Sequence, residues 1–396
     1  MSTAPDDRGP LAGLRLIDFG QYLAGPFGPM ILADLGMDVI KVEPVTGDGM
    51  RIAGKPFFGC QRGKRDIALN IKTPEGHDLA MELVRRADVV HHNMTKGTAA
   101  KLGIDYESCK AVNPDVVYCN TYAYGLEGPL SHFGGLDPLY QAATGIEYEA
   151  GATQHGNDPL YYRFGMCDAA NAMLSVVGVL AALVRRARTG EGQELWTSLL
   201  DGGAVFASDA MVRPDGTPVP RPRLDPGLTG LAPEYRMYET QDGWVQIAAL
   251  KPEEWEALCT TLGVDPSLDR TTAEAQLELR FRTRTAVSWT YRLDDAGVPN
   301  EVAVDPKGGD LVLFDADNER LGLVTEYEHP TMGLLRQFGN TIEFSETPSS
   351  PWGPPPRIGE DTREILEWLG ADDARMAELA DQGVVAWPGD PYAAPW

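Results

Sequence analysis

The chain has 396 residues, 43% hydrophobic and 23% charged, with a formal net charge of −24. That length exceeds what one hydrophobic core fills, so two lobes are expected in an ordinary globular protein. The acidity argues against generic nucleic-acid binding, and five scattered cysteines without a CxxC pair argue against a zinc module or a disulfide framework.

The opening MSTAPDDRGPLAG lacks the apolar core of a signal peptide, and a cytoplasmic protein is expected. Residues 14–20 (LRLIDFG) alternate as a strand and end in glycine. A turn, QYLAGPFG, then leads into a helical PMILADLG, and residues 38–44 (DVIKVEP) read as a second strand. The pattern repeats. TPEGHDLAMELVRRA has a proline-set helix entry and ADVVHHN follows as a strand; residues 101–112 read as a helix and DVVYCNTYAYG as another strand. Repeated βα units predict an α/β fold with a Rossmann-like parallel sheet. A dinucleotide site does not follow, because Gly20, Gly25 and Gly28 do not make G-x-G-x-x-G, which leaves a dinucleotide-dependent oxidoreductase as a weak alternative. No G-x-S-x-G elbow points to a serine hydrolase. His91 and His92 are adjacent on a strand and so face opposite ways, as structural residues rather than joint metal ligands. No metal site is predicted.

Residues 41–101 carry eleven Lys and Arg against seven Asp and Glu, a local excess that suits an anionic ligand. Arg62, Lys64 and Arg65, in a glycine-bearing loop, are its densest part. Residues 163–174 read RFGMCDAANAML, and Asp168 stands at the start of a long apolar helix. The ordinary role of such an aspartate is to cap that helix. The apolar run 169–184 is short for a membrane span and reads as a buried helix. Composition then shifts. Residues 213–233 are crowded with Pro and Gly, a linker or mobile loop. A hairpin (YRMYETQDGWVQIAAL) and two helical stretches holding Trp255 and Trp289 form a smaller α+β domain, residues 234–310. Residues 311–396 return to the large domain begun by residues 1–212, through a second Pro-rich linker, and end in a helical hairpin.

In this order and spacing, several segments resemble CoA-transferase family III. They are LAGLRLIDFGQYLAGPFGPMILADLGMDVIKVEP, ALNIKTPEGHDLAMELVRRADVV, YGLEGPLSHFGGLDPLYQAATG, GMCDAANAMLSVVGVLAALVRRARTGEGQ and RQFGNTIEFSETP, with GEDTREILEWLG near the end. The resemblance covers nearly the whole chain. It implies an acyl-CoA:carboxylate CoA-transferase in which Asp168 is the nucleophile, passing through an aspartyl mixed anhydride and an aspartyl-CoA thioester. A helix N-terminus is expected to hold that aspartate ionised, with Cys167 beside it as packing. CoA, bound as a substrate thioester, is expected against Leu23, Ala24, Lys41, Leu69, Lys72, Asn93, Lys101, Leu102 and Asp137. Arg51 is a further candidate, because Pro44 stands where some relatives have arginine. Gly227 and Gly230 are the expected lid, without the tetraglycine of some members. Implied partners are an acyl-CoA donor, a free carboxylic acid and a second copy of the chain in an interlocked homodimer, threaded near residues 213–233 and 348–356.

Some members of the fold are 2-methylacyl-CoA racemases and carry G-H-D where this chain reads Gly135, Leu136, Asp137. Leucine moves no proton, so a transferase is favoured over a racemase. An inactive partner subunit is a further alternative, opposed by the presence of Asp168. Tyr140, Tyr148, Tyr161 and Tyr162 are expected to flank the site and to suit a substrate larger than formate or oxalate.

Overall fold

The computed structural model describes residues 9–53, 55–304, 313–329, 332–339, 341–348 and 353–388. The first eight residues, the start of the predicted return at 311–312, and residues 349–352 of the second Pro-rich linker lie outside them. In chain order the strands are β1 (Arg15–Asp18), β2 (Asp38–Glu43), β3 (Arg65–Leu69), β4 (Val89–His92), β5 (Val117–Tyr122), β6 (Glu194–Ser198), β7 (Gly230–Ala232), β8 (Tyr235–Glu239), β9 (Trp244–Ala248), β10 (Asn300–Ala303), β11 (Val324–His329), β12 (Gly333–Phe338) and β13 (Val385–Ala386).

The chain forms two compact units. The first comprises Met1–Thr144, Arg163–Phe206 and Ala316–Trp396; the second comprises Gly145–Tyr162 and Ala207–Asp315. Residues 145–162, expected within the large domain, therefore group with the second unit, and the borders fall at 207 and 315 rather than 213 and 310. The second unit draws residues 145–162 in by side chain: Gln154 and His155 reach the Leu224 carbonyl, and Asn157 that of Pro226. No local sequence signal announces such contacts.

In the first unit the sheet runs β13-β3-β2-β1-β4-β5-β6. Strands β1 to β6 pair in parallel, and only the edge strand β13 is antiparallel, beside β3. Apolar runs form these strands because both faces are covered. The two-residue period sends Leu16, Val39, Val89 and Val117 into one core, with Met30, Val176 and Val179. It sends Ile17, Ile40, Val90 and Tyr118 into the other, with Leu83, Leu366 and Leu379. Strand order reverses between β1 and β4, so a crevice is expected outside their carboxyl ends.

The helix Met166–Thr189 packs in the first of these cores through a face that includes Val176, Val179, Ala182 and Leu183. By length and composition it is apolar enough to cross a membrane, but this packing makes it a core helix. Close approach is what its neighbours' glycines provide. A Cβ on Gly202 would fall 2.4 Å from the Cys167 carbonyl oxygen, and one on Gly28 would fall 2.4 Å from Ser175 Oγ. The expected helix over 101–112 is broken into Thr98–Lys101 and Tyr106–Val112, with Gly103 between them in the left-handed region.

The second unit has an antiparallel sheet, β10-β9-β8-β7. The predicted hairpin is β8–β9. Three helices, Pro252–Leu262, Arg270–Phe281 and Ala286–Asp295, stand where two were expected. Its core gathers Tyr238, Val245, Ile247, Leu258, Phe281, Trp289 and Leu293.

Candidate active site

The loop after β1 is shaped by what it cannot hold. Any side chain at position 25 would begin 2.6 Å from Asn93 Cγ. Glycine there lets Asn93, just past β4, clamp the loop: Gln21 N–H donates to its Oδ1 (2.9 Å), and its Nδ2 donates to the Gln21 carbonyl (2.8 Å). Tyr22 is held at φ 62°, a left-handed conformation that is costly for an aromatic residue. Its N–H donates to Asp48 Oδ1 at 3.1 Å.

At the crevice where strand order reverses lies a cleft of about 500 Å³. Leu23 and Ala24 line it from the β1 loop and Asn93 from the end of β4. Thr121 and Tyr122 line it from β5, Leu136 and Leu139 from the segment after it, and Asp168 from the long helix. The sequence therefore places Leu23, Ala24, Asn93 and Asp168 in one site. It misses Tyr22, Thr121, Tyr122 and Leu139, whose only signal is position at or near a strand's carboxyl end.

Asp168 is not the helix cap. Gly165 holds that position, and Asp168 is the third helical residue. Its backbone N–H donates to Asp137 Oδ2 at 2.9 Å. The other Asp137 oxygen accepts from Gln141 Nε2, which also donates to the Phe164 carbonyl at 3.0 Å. Asp137, expected at CoA, thus sits behind the nucleophile candidate and pins the start of its helix. A Cβ on Gly165 would lie 2.8 Å from Leu23 Cδ2 and 3.3 Å from Asp168 Oδ2. Glycine there keeps the space beside the carboxylate open.

Burial, and after it the charge on Asp137, push the Asp168 carboxyl up to about 7. The helix terminus is expected to hold it ionised, but desolvation and a like charge act the other way. Cys167 is buried, and burial with the two neighbouring carboxylates pushes its thiol up to about 12, so it stays a packed thiol.

The cationic cluster is also corrected. Arg62 pairs with Asp34 (2.6 Å), Lys64 with Asp18 (2.8 Å) and Arg65 with Asp38 (2.8 Å), the first two pairs buried. Lys41, expected at CoA, has no exposed surface; it donates to the Gly20 carbonyl (2.8 Å) and Asp48 (3.0 Å). Arg51 is buried against Glu43 and the Pro356 carbonyl. These cations are bound within the protein, because a buried charge must be paired.

Leu69, Lys72 and Leu102 line a second cleft of about 370 Å³ with Val42, Pro44 and Ile71. Gln21 and Met94 border it, while their chain neighbours Tyr22 and Asn93 border the first. Lys101 is exposed at the end of its short helix and lines neither. Gly227 and Gly230 lie in the second unit. There Asp225 Oδ1 accepts from Gly227 N–H (2.7 Å), and Gly230 opens β7. Tyr140 is wholly buried in the first unit, and Tyr148, Tyr161 and Tyr162 belong to the second. His91 and His92 are buried on β4, with His92 bridging Tyr118 Oη (2.7 Å) and the Met94 N–H (3.1 Å). Among the described residues no cluster of His, Cys, Asp or Glu is arranged to hold a metal ion.

The model of CoA-transferase family III matches residues 11–362. The chain belongs to that family. It is 30% identical to the human succinyl-CoA:glutarate CoA-transferase over 95% of this chain and 90% of that one. It is 32% identical to the succinyl-CoA:mesaconate CoA-transferase of Haloarcula marismortui, over 92% and 97%. Among solved structures, a CAIB/BAIF family protein from Brucella suis superposes with a TM-score of 0.79 at 29% identity, over 91% of this chain and all of that one. The protein is thus a CoA-transferase, an enzyme whose substrates are CoA thioesters. Racemase chemistry gains nothing from the cleft wall, where Leu136 offers no proton.

Proposed function

We propose that this CoA-transferase moves CoA from an acyl-CoA to a free carboxylate, with Asp168 as the covalent nucleophile. The observation that carries the reading is one carboxylate on a cleft at the strand-order reversal, with no cation among the cleft's described lining residues. A carboxylate whose conjugate acid lies near 7 is a stronger nucleophile than an ordinary aspartate and is still substantially ionised at neutral pH.

In the proposed sequence, an Asp168 oxygen attacks the thioester carbonyl and the C–S bond breaks, giving a mixed anhydride and CoA thiolate. The thiolate attacks the aspartyl carbonyl. The donor acid leaves with the bridging oxygen, and an aspartyl-CoA thioester remains. The acceptor carboxylate then displaces the thiolate to form a second anhydride. Thiolate attack on its acyl carbon releases the new acyl-CoA and restores Asp168. Leu23, Ala24 and Asn93 would flank the thioester, and the apolar second cleft with Lys72 at its edge would take the nucleotide end of CoA. Exposed apolar residues on the long helix (Met173, Val177, Val184) support a homodimer.

The experiment is turnover with acceptor acid labelled with heavy oxygen, followed by peptide mass spectrometry. The second anhydride leaves one acceptor oxygen on Asp168, so the peptide carrying it gains that label. Turnover with an unlabelled Asp168 peptide would rule the covalent mechanism out.

A further inference from the structure

We infer that the acid this cleft accepts is an apolar monocarboxylic acid, and that Leu136 and Leu139 are the residues that select it. The inference deepens the transferase reading above and rests on it. It departs from the names of the two relatives described above, whose acids (succinate, glutarate, mesaconate) carry two carboxylates.

The first observation is apolar. Leu136 and Leu139 stand at the entry to the helix Asp137–Ala143, three residues apart and so on one side of its first turn. Both line the cleft, and they are 62% and 51% exposed. Large aliphatic side chains left open on the wall of a concave site offer apolar surface for a ligand to cover. They are tied to the reacting group by one residue: Asp137, next to Leu136, accepts the Asp168 N–H at 2.9 Å. A chain bonded to Asp168 through an anhydride therefore begins beside this pair. Leu23, with its Cδ2 2.8 Å from where a Gly165 Cβ would stand, adds apolar surface on the Asp168 side.

The second observation is electrostatic and independent of the first. Among the described residues lining the cleft there is no lysine, arginine or histidine. The charges present are negative, Asp168 itself and Asp137 behind it. The cations of the preceding segment, Lys41, Arg51, Arg62 and Lys64, are fixed in internal pairs. Asp168 is uncharged while acylated, so a second carboxylate on the acceptor acid would leave water to face the Asp137 charge with no counter-ion on the cleft, whereas a methyl end would meet leucine.

The test is a competition between acids matched in length, with purified enzyme and acetyl-CoA, butyryl-CoA and succinyl-CoA each as donor. The expected result is that kcat/KM for straight-chain monocarboxylates rises about fourfold per added methylene until the cleft is filled. Pentanoate should be preferred over glutarate, also five carbons long, by about a hundredfold or more. Leu136→Arg is expected to narrow or invert that ratio, and Leu136→Ala with Leu139→Ala to flatten the chain-length dependence. Both positions are solvent-open, so circular dichroism should show an intact fold. Glutarate or succinate matching or exceeding the monocarboxylate of equal length would overturn the inference and leave the transferase intact. No exchange of any acid with any of the three donors would instead strike down the transfer reading, and this inference with it.

Discussion

Two groups of carboxylates lie within the first unit, and they meet opposite fates. Beneath the β1 loop, Asp18, Asp48 and Glu43 are buried, and each has a cation. Lys64 fills all three donor positions with Asp18 Oδ2 (2.8 Å), the Pro26 carbonyl (2.7 Å) and Gln61 Oε1 (2.8 Å). Burial alone would raise the Asp18 carboxyl, but the charges of Lys64, Lys41 and His91 outweigh it and hold it below its ordinary value. On the cleft, Asp168 has a carboxylate behind it in place of a cation, and it moves the other way, up to about 7. The same side chain is scaffold where its charge is matched and reactive where it is not. The first group also serves the second: the Lys41–Asp48 pair holds the Tyr22 N–H, and Tyr22 lines the cleft.

The contrast can be broken from either side. The largest effect is expected at Asp168: Asp168→Asn should lower acyl exchange by about a thousandfold or more with the fold intact. Residual activity within tenfold of the parent in initial-rate assays would end its claim to be the nucleophile. Next is the scaffold. Lys64→Met leaves Asp18 buried without its partner and should cost about 3–5 kcal/mol in urea denaturation. Adding Asp18→Asn should restore part of the loss, because the unpaired charge goes with it.

Smaller effects concern proton uptake. The nucleophile acts as the anion, so kcat/KM should rise with pH through an acid limb near 7. Asp137→Asn keeps an oxygen for the Asp168 N–H and removes the charge, so the limb should move to lower pH. A limb that stays in place would detach the two carboxylates. Stability should run the opposite way. The folded Asp168 keeps its proton up to about 7, while an unfolded one loses it near 4. Folding therefore takes up a proton between those values, and this contribution to stability is lost as pH rises through them. Asp168→Asn, free of that cost, should be more stable than the parent at pH 8 by about 1–3 kcal/mol. Thermal melts at pH 5 and pH 8 would show the difference shrinking at the lower value.

Much of this was legible in the chain. The alternation in LRLIDFG, DVIKVEP, ADVVHHN and DVVYCNTYAYG is the period a strand needs to supply two cores, and it appears as β1, β2, β4 and β5. The ordered segments pointed to the family. What was read wrongly depended on partners distant in sequence. Arg62, Lys64 and Arg65 looked like a ligand-binding patch because their carboxylates are 28, 46 and 27 residues away. The expectation of an ionised Asp168 missed Asp137, whose charge acts against it from 31 positions earlier.

The sequence by itself determined the parallel α/β sheet, the family and the one aspartate at the head of an apolar helix, since hydrophobic periodicity and local order carry those. The tertiary structure alone decided which charges are matched, which glycines are forced by a distant segment of the chain, and which leucines remain open beside Asp168. The physical reason is that desolvation and pairing depend on what surrounds a group in space, and the chain supplies those surroundings from positions that no local window contains.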